Sequence, residues 1–189
     1  MLTETAAPVI GQSLIDELAD HLKLSTGFGS DAEDELEGSL RAAIAHLEAR
    51  LGLALIQRNF IWRGGVGADG AATAPIAPVS VITSIDRVFP DGSTEVVDVA
   101  TWSLDQGQLR TRFCADRYYR DQLDIAFTAG FGADWTDTPA DLRRAALMLA
   151  AHFFENRHAS VSGIEILPLG VKELIAPWRR VRVGFGGKS

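Results

Sequence analysis

Between Thr138 and Arg157 the chain reads TPADLRRAALMLAAHFFENR, with apolar positions recurring at helical spacing. Leu142, Ala145, Ala146, Leu149 and Phe153 form one stripe, and Leu147, Ala150, Ala151 and Phe154 form a second. Only Arg144, Met148, His152 and Glu155 are left as a narrow mixed strip. The pattern predicts a helix over 138–157, with Thr138 as N-cap, Pro139 in the first helical position and Asp141 completing a capping box. A helix this apolar needs cover on most sides, from its own neighbours, from a copy of itself, or from both.

Three further stretches carry the same period. Leu14, Ile15, Leu18 and Leu22 predict a helix over 13–24, opened by a Ser13/Asp16 capping box. Leu36, Leu40, Ile44, Leu47 and Leu51 predict another over 31–51, stopped by Gly52. A short one over 171–176 ends at Pro177. The helices at 31–51 and 138–157 are expected to pack together, with Leu40, Ile44, Leu47, Leu142, Leu149 and Phe153 as the candidate core.

From Leu53 to Phe131 the period changes to two. Strands are expected over 53–62, 79–89, 93–99, 102–105, 108–113 and 122–131, and Pro90-Asp91-Gly92 marks a hairpin turn. The run GGVGADGAATAPIAP at 64–78 reads as a loop. The expected fold is α+β: a helical bundle of about three main helices plus a short C-terminal helix, with a small antiparallel sheet region inserted at 53–131. One domain would occupy 1–176 and a C-terminal arm 177–189.

Composition narrows the function more by exclusion than by signature. The single cysteine, Cys114, excludes an internal disulfide and a cysteine-based zinc cluster. No apolar run approaches the roughly 20 residues that cross a bilayer, and the N-terminus lacks the pattern of a secretory signal, so no membrane partner is expected. The net charge of -7 sits entirely in the first 56 residues, which hold ten acidic and three basic side chains. Such a block opposes a surface that grips nucleic acid, which needs clustered Lys and Arg. It is concentrated in Asp31, Glu33, Asp34, Glu35 and Glu37, a group that suits the positive end of a helix dipole or would form a wall repelling phosphates.

No catalytic set emerges. His21, His46, His152 and His158 show no ligand spacing with a second His or Cys. Cys114 lacks the local pattern of an activated nucleophile. The glycines at 64–70 are followed by no Gly-Lys-Ser/Thr and open no helix, so they make no phosphate loop. The RYYR run at 117–120 interleaves arginines and aromatics, as a base-stacking surface does, but on an acidic chain it better suits a strand turn or a protein contact. No metal and no cofactor are expected. The C-terminal stretch Trp178, Arg179, Arg180, Val181, Arg182, Val183 and Phe185 is basic on an acidic chain and reads either as a frayed chain end or as an arm that orders on a partner.

Three features set in order resemble the head-tail connector, or adaptor, family of long-tailed bacteriophages and phage-derived gene transfer agents. They are FTAGFG at 127–132 leading into a Pro-started helix, AHFFENR at 151–157, and LPLGVKELIAPWR at 167–179. The resemblance, with the acidic helix at 31–50, covers most of the chain. It implies a structural virion protein, not an enzyme, forming a ring of twelve copies between the portal and a stopper or tail-completion protein. Double-stranded DNA would pass through that ring without being read, and the C-terminal arm would dock on the portal. The protein would wait in the bacterial cytoplasm before assembly and act at the head-tail junction. Competing readings are another minor virion assembly protein or a small enzyme with a Cys or Ser nucleophile.

Overall fold

The computed structural model of the protein describes residues 1–24, 30–67, 71–106, 111–114, 122–156 and 167–179. Helical periodicity yields α1 (Gln12–His21), α2 (Ser30–Leu51), α3 (Ala140–Glu155) and α4 (Leu169–Ile175). α3 packs against both α2 and α4, and α1 lies across α2 and α3. Leu40, Ile44, Leu47, Leu142 and Leu149 are fully buried there, whereas Phe153 is half-buried at the rim. Its ring meets His46 edge-on, with centroids 6.4 Å apart.

Eight strands follow the other period: β1 (Leu2–Glu4), β2 (Arg58–Gly65), β3 (Ala71–Thr73), β4 (Val79–Val88), β5 (Thr94–Val97), β6 (Ser103–Gln106), β7 (Thr111–Cys114) and β8 (Gln122–Ala129). They form a five-stranded sheet in the order β1-β2-β8-β4-β5 and a three-stranded sheet in the order β3-β7-β6, with every pairing antiparallel. Alternation along β8 buries Leu123, Ile125, Phe127 and Ala129 on one face. Phe127 stacks on Phe60 at 5.8 Å and meets Phe113 of the second sheet at 5.4 Å. Each such side chain contributes about 1.5–3 kcal/mol on leaving water.

That second core corrects the expected architecture. The fold is α+β, but it is not a helical bundle carrying a small inserted sheet. The strands bury Phe60, Ile85, Phe113, Ile125 and Phe127 against one another in a cluster separate from the helical one. Sheet and helices are therefore two layers, each with its own apolar interior.

Element boundaries moved for physical reasons. The strand expected from Leu53 starts only at Arg58, because Leu53, Ala54, Leu55 and Ile56 are all buried and cannot alternate. The expected loop at 64–78 gives up Gly64 and Gly65 to β2 and holds β3. Glycine at 64 lets the Trp62 ring lie over the strand, since a Cβ there would be 2.0 Å from that ring. Strand β1 carries no alternation at all, and its three side chains are exposed.

The Thr138 capping box does not form. Its hydroxyl, buried with the residue 2% exposed, donates to the Leu55 carbonyl at 2.9 Å, and Asp141 accepts from the Leu142 amide instead. The Ser13 box is likewise absent: Gly11 precedes α1 and Asp16 accepts from Gln12.

The two layers are joined at a seam. The Glu48 carboxylate at the end of α2 accepts from the Leu55 amide at 2.7 Å and from Arg58 at 2.9 and 2.7 Å, while Arg58 also donates to Glu4 at 2.5 Å. Gly130 closes the seam with φ 134°, and a Cβ there would lie 2.3 Å from the Gln57 backbone, so only glycine fits.

Candidate assembly interface

No group of three or more metal-ligating side chains occurs among the described residues. His21 faces Arg144 at 3.2 Å, His152 faces Asn156 at 3.2 Å and His46 faces Phe153, while His158 lies outside the described residues. Cys114 is a half-buried member of β7, flanked across the sheet by Ala71 and Ser103. The RYYR run also falls outside the described residues.

The first surface is the start of α2. Asp31, Asp34 and Glu35 are exposed, while Glu33 and Glu37 are half-buried. Glu37 is offset by Arg41, which donates to it at 3.0 and 2.5 Å and also to the Pro8 carbonyl at 3.2 Å. The negative field is thus strongest at the helix tip, where the macrodipole favours it.

The second surface is the base of the C-terminal arm. A 3-10 turn over Ala176–Trp178 follows α4 and sets Trp178 against the helical core. Its indole Nε1 donates to Asp141 at 2.5 Å, and its ring stands at 89° to Phe131 with centroids 5.6 Å apart. Arg179 is exposed beyond it. Arg180, Val181, Arg182, Val183 and Phe185 lie outside the described residues.

The third is the five-stranded sheet. Its outer face carries Arg63 donating to Asp124 at 2.6 Å, with a second contact between the same groups. The hydrogen bond from Arg63 holds the Asp124 carboxyl below its ordinary range, although partial burial works against it. At the seam, burial opposes the Arg58 charge, but Glu48 and Glu4 together keep it above the usual arginine value. Sequence reasoning missed this Glu4–Arg58–Glu48 group: an exposed strand, a strand start and a helix end meet only in the fold. It missed Trp135 as well, whose indole donates to Glu17 at 3.2 Å across 118 residues of sequence.

The described residues form a mixed helix-and-sheet domain with charged groups at its surface. Comparison with solved structures gives the family. A chain from the neck of an empty gene transfer agent (GTA) particle computed with C6 symmetry is 38% identical, with a TM-score of 0.81 over 98% of both chains. A chain from the virion of a native gene transfer agent particle is 36% identical, again with a TM-score of 0.81 and 98% of both chains covered. A third, from the neck of a native GTA particle computed with C12 symmetry, is 38% identical with a TM-score of 0.75 over 98% of both chains. No protein-family profile and no curated protein matches the chain. The protein belongs to the phage-derived head-tail connector (adaptor) family. It is a structural virion protein of the neck.

Proposed function

We propose that this chain is the head-tail adaptor itself: twelve copies form a ring between the portal and the stopper or tail-completion protein, and the ring is a conduit for double-stranded DNA. The observation that carries the reading is the match over 98% of both chains to a neck computed with C12 symmetry. The acidic start of α2, with Asp31, Glu33, Asp34, Glu35 and Glu37, faces the lumen. Carboxylates there repel phosphates, so the duplex slides through without being held. The ring has no catalytic step to perform. Copies made in the bacterial cytoplasm assemble at the head-tail junction.

The arm over 177–189 docks on the portal. Trp178, locked by Asp141 and Phe131, gives it a fixed point of departure, which limits the freedom lost when the rest binds. The arginines at 179, 180 and 182 meet acidic portal residues, Val181 and Val183 add to a sheet edge, and Phe185 fills a pocket. Deleting residues 180–189 tests this: the melting curve stays nearly unchanged while heads remain tailless and leak DNA. Normal joining of heads to tails by the truncated chain refutes the arm. For the conduit, sub-micromolar sequence-selective DNA binding by the intact chain at moderate salt refutes passive passage.

A further inference from the structure

We propose that neighbouring copies contact each other hairpin into cleft, the β4–β5 hairpin of one copy seating between α2 and β1 of the next. This rests on the ring reading above. In a cyclic assembly each copy offers two different patches, one to each neighbour, and these must lie on different flanks. Here β1 and β5 are the two outer strands of the same sheet, four strand spacings of about 4.8 Å apart.

The cleft has the character of a receiving site. It encloses roughly 410 Å³, and its walls include Leu2, Ala45, Ala49, Phe60, Pro75 and Ile76. Ala45 and Ala49 are turned to solvent, so another backbone can approach α2 closely. Higher on the helix, Gly38 leaves open space where a Cβ would sit. Glycine weakens a helix interior, and among the described residues no contact requires one at that point.

The hairpin has the character of an inserting element. Every residue from Pro90 to Val96 is exposed, and Val96 is 80% exposed on an edge strand that no element of this chain covers among the described residues. Its turn is already shaped. Phe89 donates its amide to Ser93 at 2.9 Å, Gly92 donates to Phe89 at 2.9 Å, and Asp91 accepts from the Ser93 amide and hydroxyl at 2.9 and 2.6 Å. Little freedom remains to be lost on docking. The hairpin bears Asp91 and Glu95, the latter held by Arg87 at 3.6 Å, and Arg50 stands exposed at the end of α2 beside a cleft whose walls also hold the mutually paired Glu4, Arg58 and Glu48.

Paired cysteines test the contact directly. In a Cys114→Ser background, Ala49→Cys and Val96→Cys together are expected to give a ladder of covalent oligomers when particles carrying the chain are oxidised. Either single substitution gives none. Rings visible on the particles without a ladder overturn the hairpin contact and leave the ring reading standing. Absence of any ring overturns both. A second variant, Ala45→Arg, fills the cleft from an exposed helix position, so its melting curve is unchanged while ring occupancy falls by roughly tenfold or more. Normal occupancy in that variant also overturns the proposal.

Discussion

The helical layer and the sheet layer bury similar chemistry by different means. In the helical layer, leucines and alanines three and four residues apart mark the buried stripe of each helix, and α2 and α3, which share the core, lie on either side of the strand region in sequence. In the sheet layer, Phe60 and Phe127 come from β2 and β8, which are far apart in the chain and pair, while Phe113 reaches Phe127 from the other sheet. A helical period marks a buried stripe over many residues, whereas strands of three or four residues give too few positions to show one. When partners are distant, the period shows which face is apolar but not what that face meets.

The largest expected effect separates the two cores. Phe127→Ala removes the ring that touches both Phe60 and Phe113 and should cost about 3–5 kcal/mol. Phe153→Ala, at the half-buried rim of the helical layer, should cost distinctly less. Chemical denaturation of both variants checks the order, and equal losses would break the two-core description. Next comes the seam. Glu48→Ala leaves Arg58, whose side chain is only 8% exposed, with the half-exposed Glu4 as its remaining acid and the Leu55 amide without its acceptor. Stripping one partner from a buried pair should cost about 3 kcal/mol, read as a lower midpoint with both layers melting together. Separate transitions would show that the layers are held by something else.

How much of this could be read beforehand follows the same division. The positions of α2 and α3 and the alternation of β8 are visible as periods in the residues. Thr138 misled, because its hydroxyl had two uses: a cap for α3, or a tether to Leu55. Burial at the seam decided for the tether, since that carbonyl would otherwise lose a partner. The sheet was underestimated because β1 and β3 are three residues long and show no alternation, and because Gly64 and Gly65 resemble a loop while lying in a strand. The acidic tip of α2 was legible from composition. The Glu4–Arg58–Glu48 group was not, since no spacing joins residues 4, 48 and 58.

Smaller effects sharpen the contrast. Gly38→Ala adds a Cβ that meets nothing within 4 Å and should stabilise the isolated chain by about 0.5–1 kcal/mol; a lower melting temperature would mean that the position is strained. The least effect is expected from pH. The Asp124 carboxyl titrates lower in the folded chain than in the unfolded one, so its contribution is present above its unfolded value and is lost as pH falls through its folded value. Arg63 is open to water and the pair is screened, so the effect is small. Asp124→Asn should accordingly flatten the acid limb of the stability profile slightly, and an unchanged limb would remove the pair from the account.

On the function proposed here, this chain works as a ring at the neck. Electron micrographs of the full chain mixed with portal-bearing filled heads test it most directly, by the symmetry and position of the added density. The account predicts a twelvefold ring beneath the portal with an open channel on its axis. Heads without added density, or a single copy bound off the axis, would contradict it.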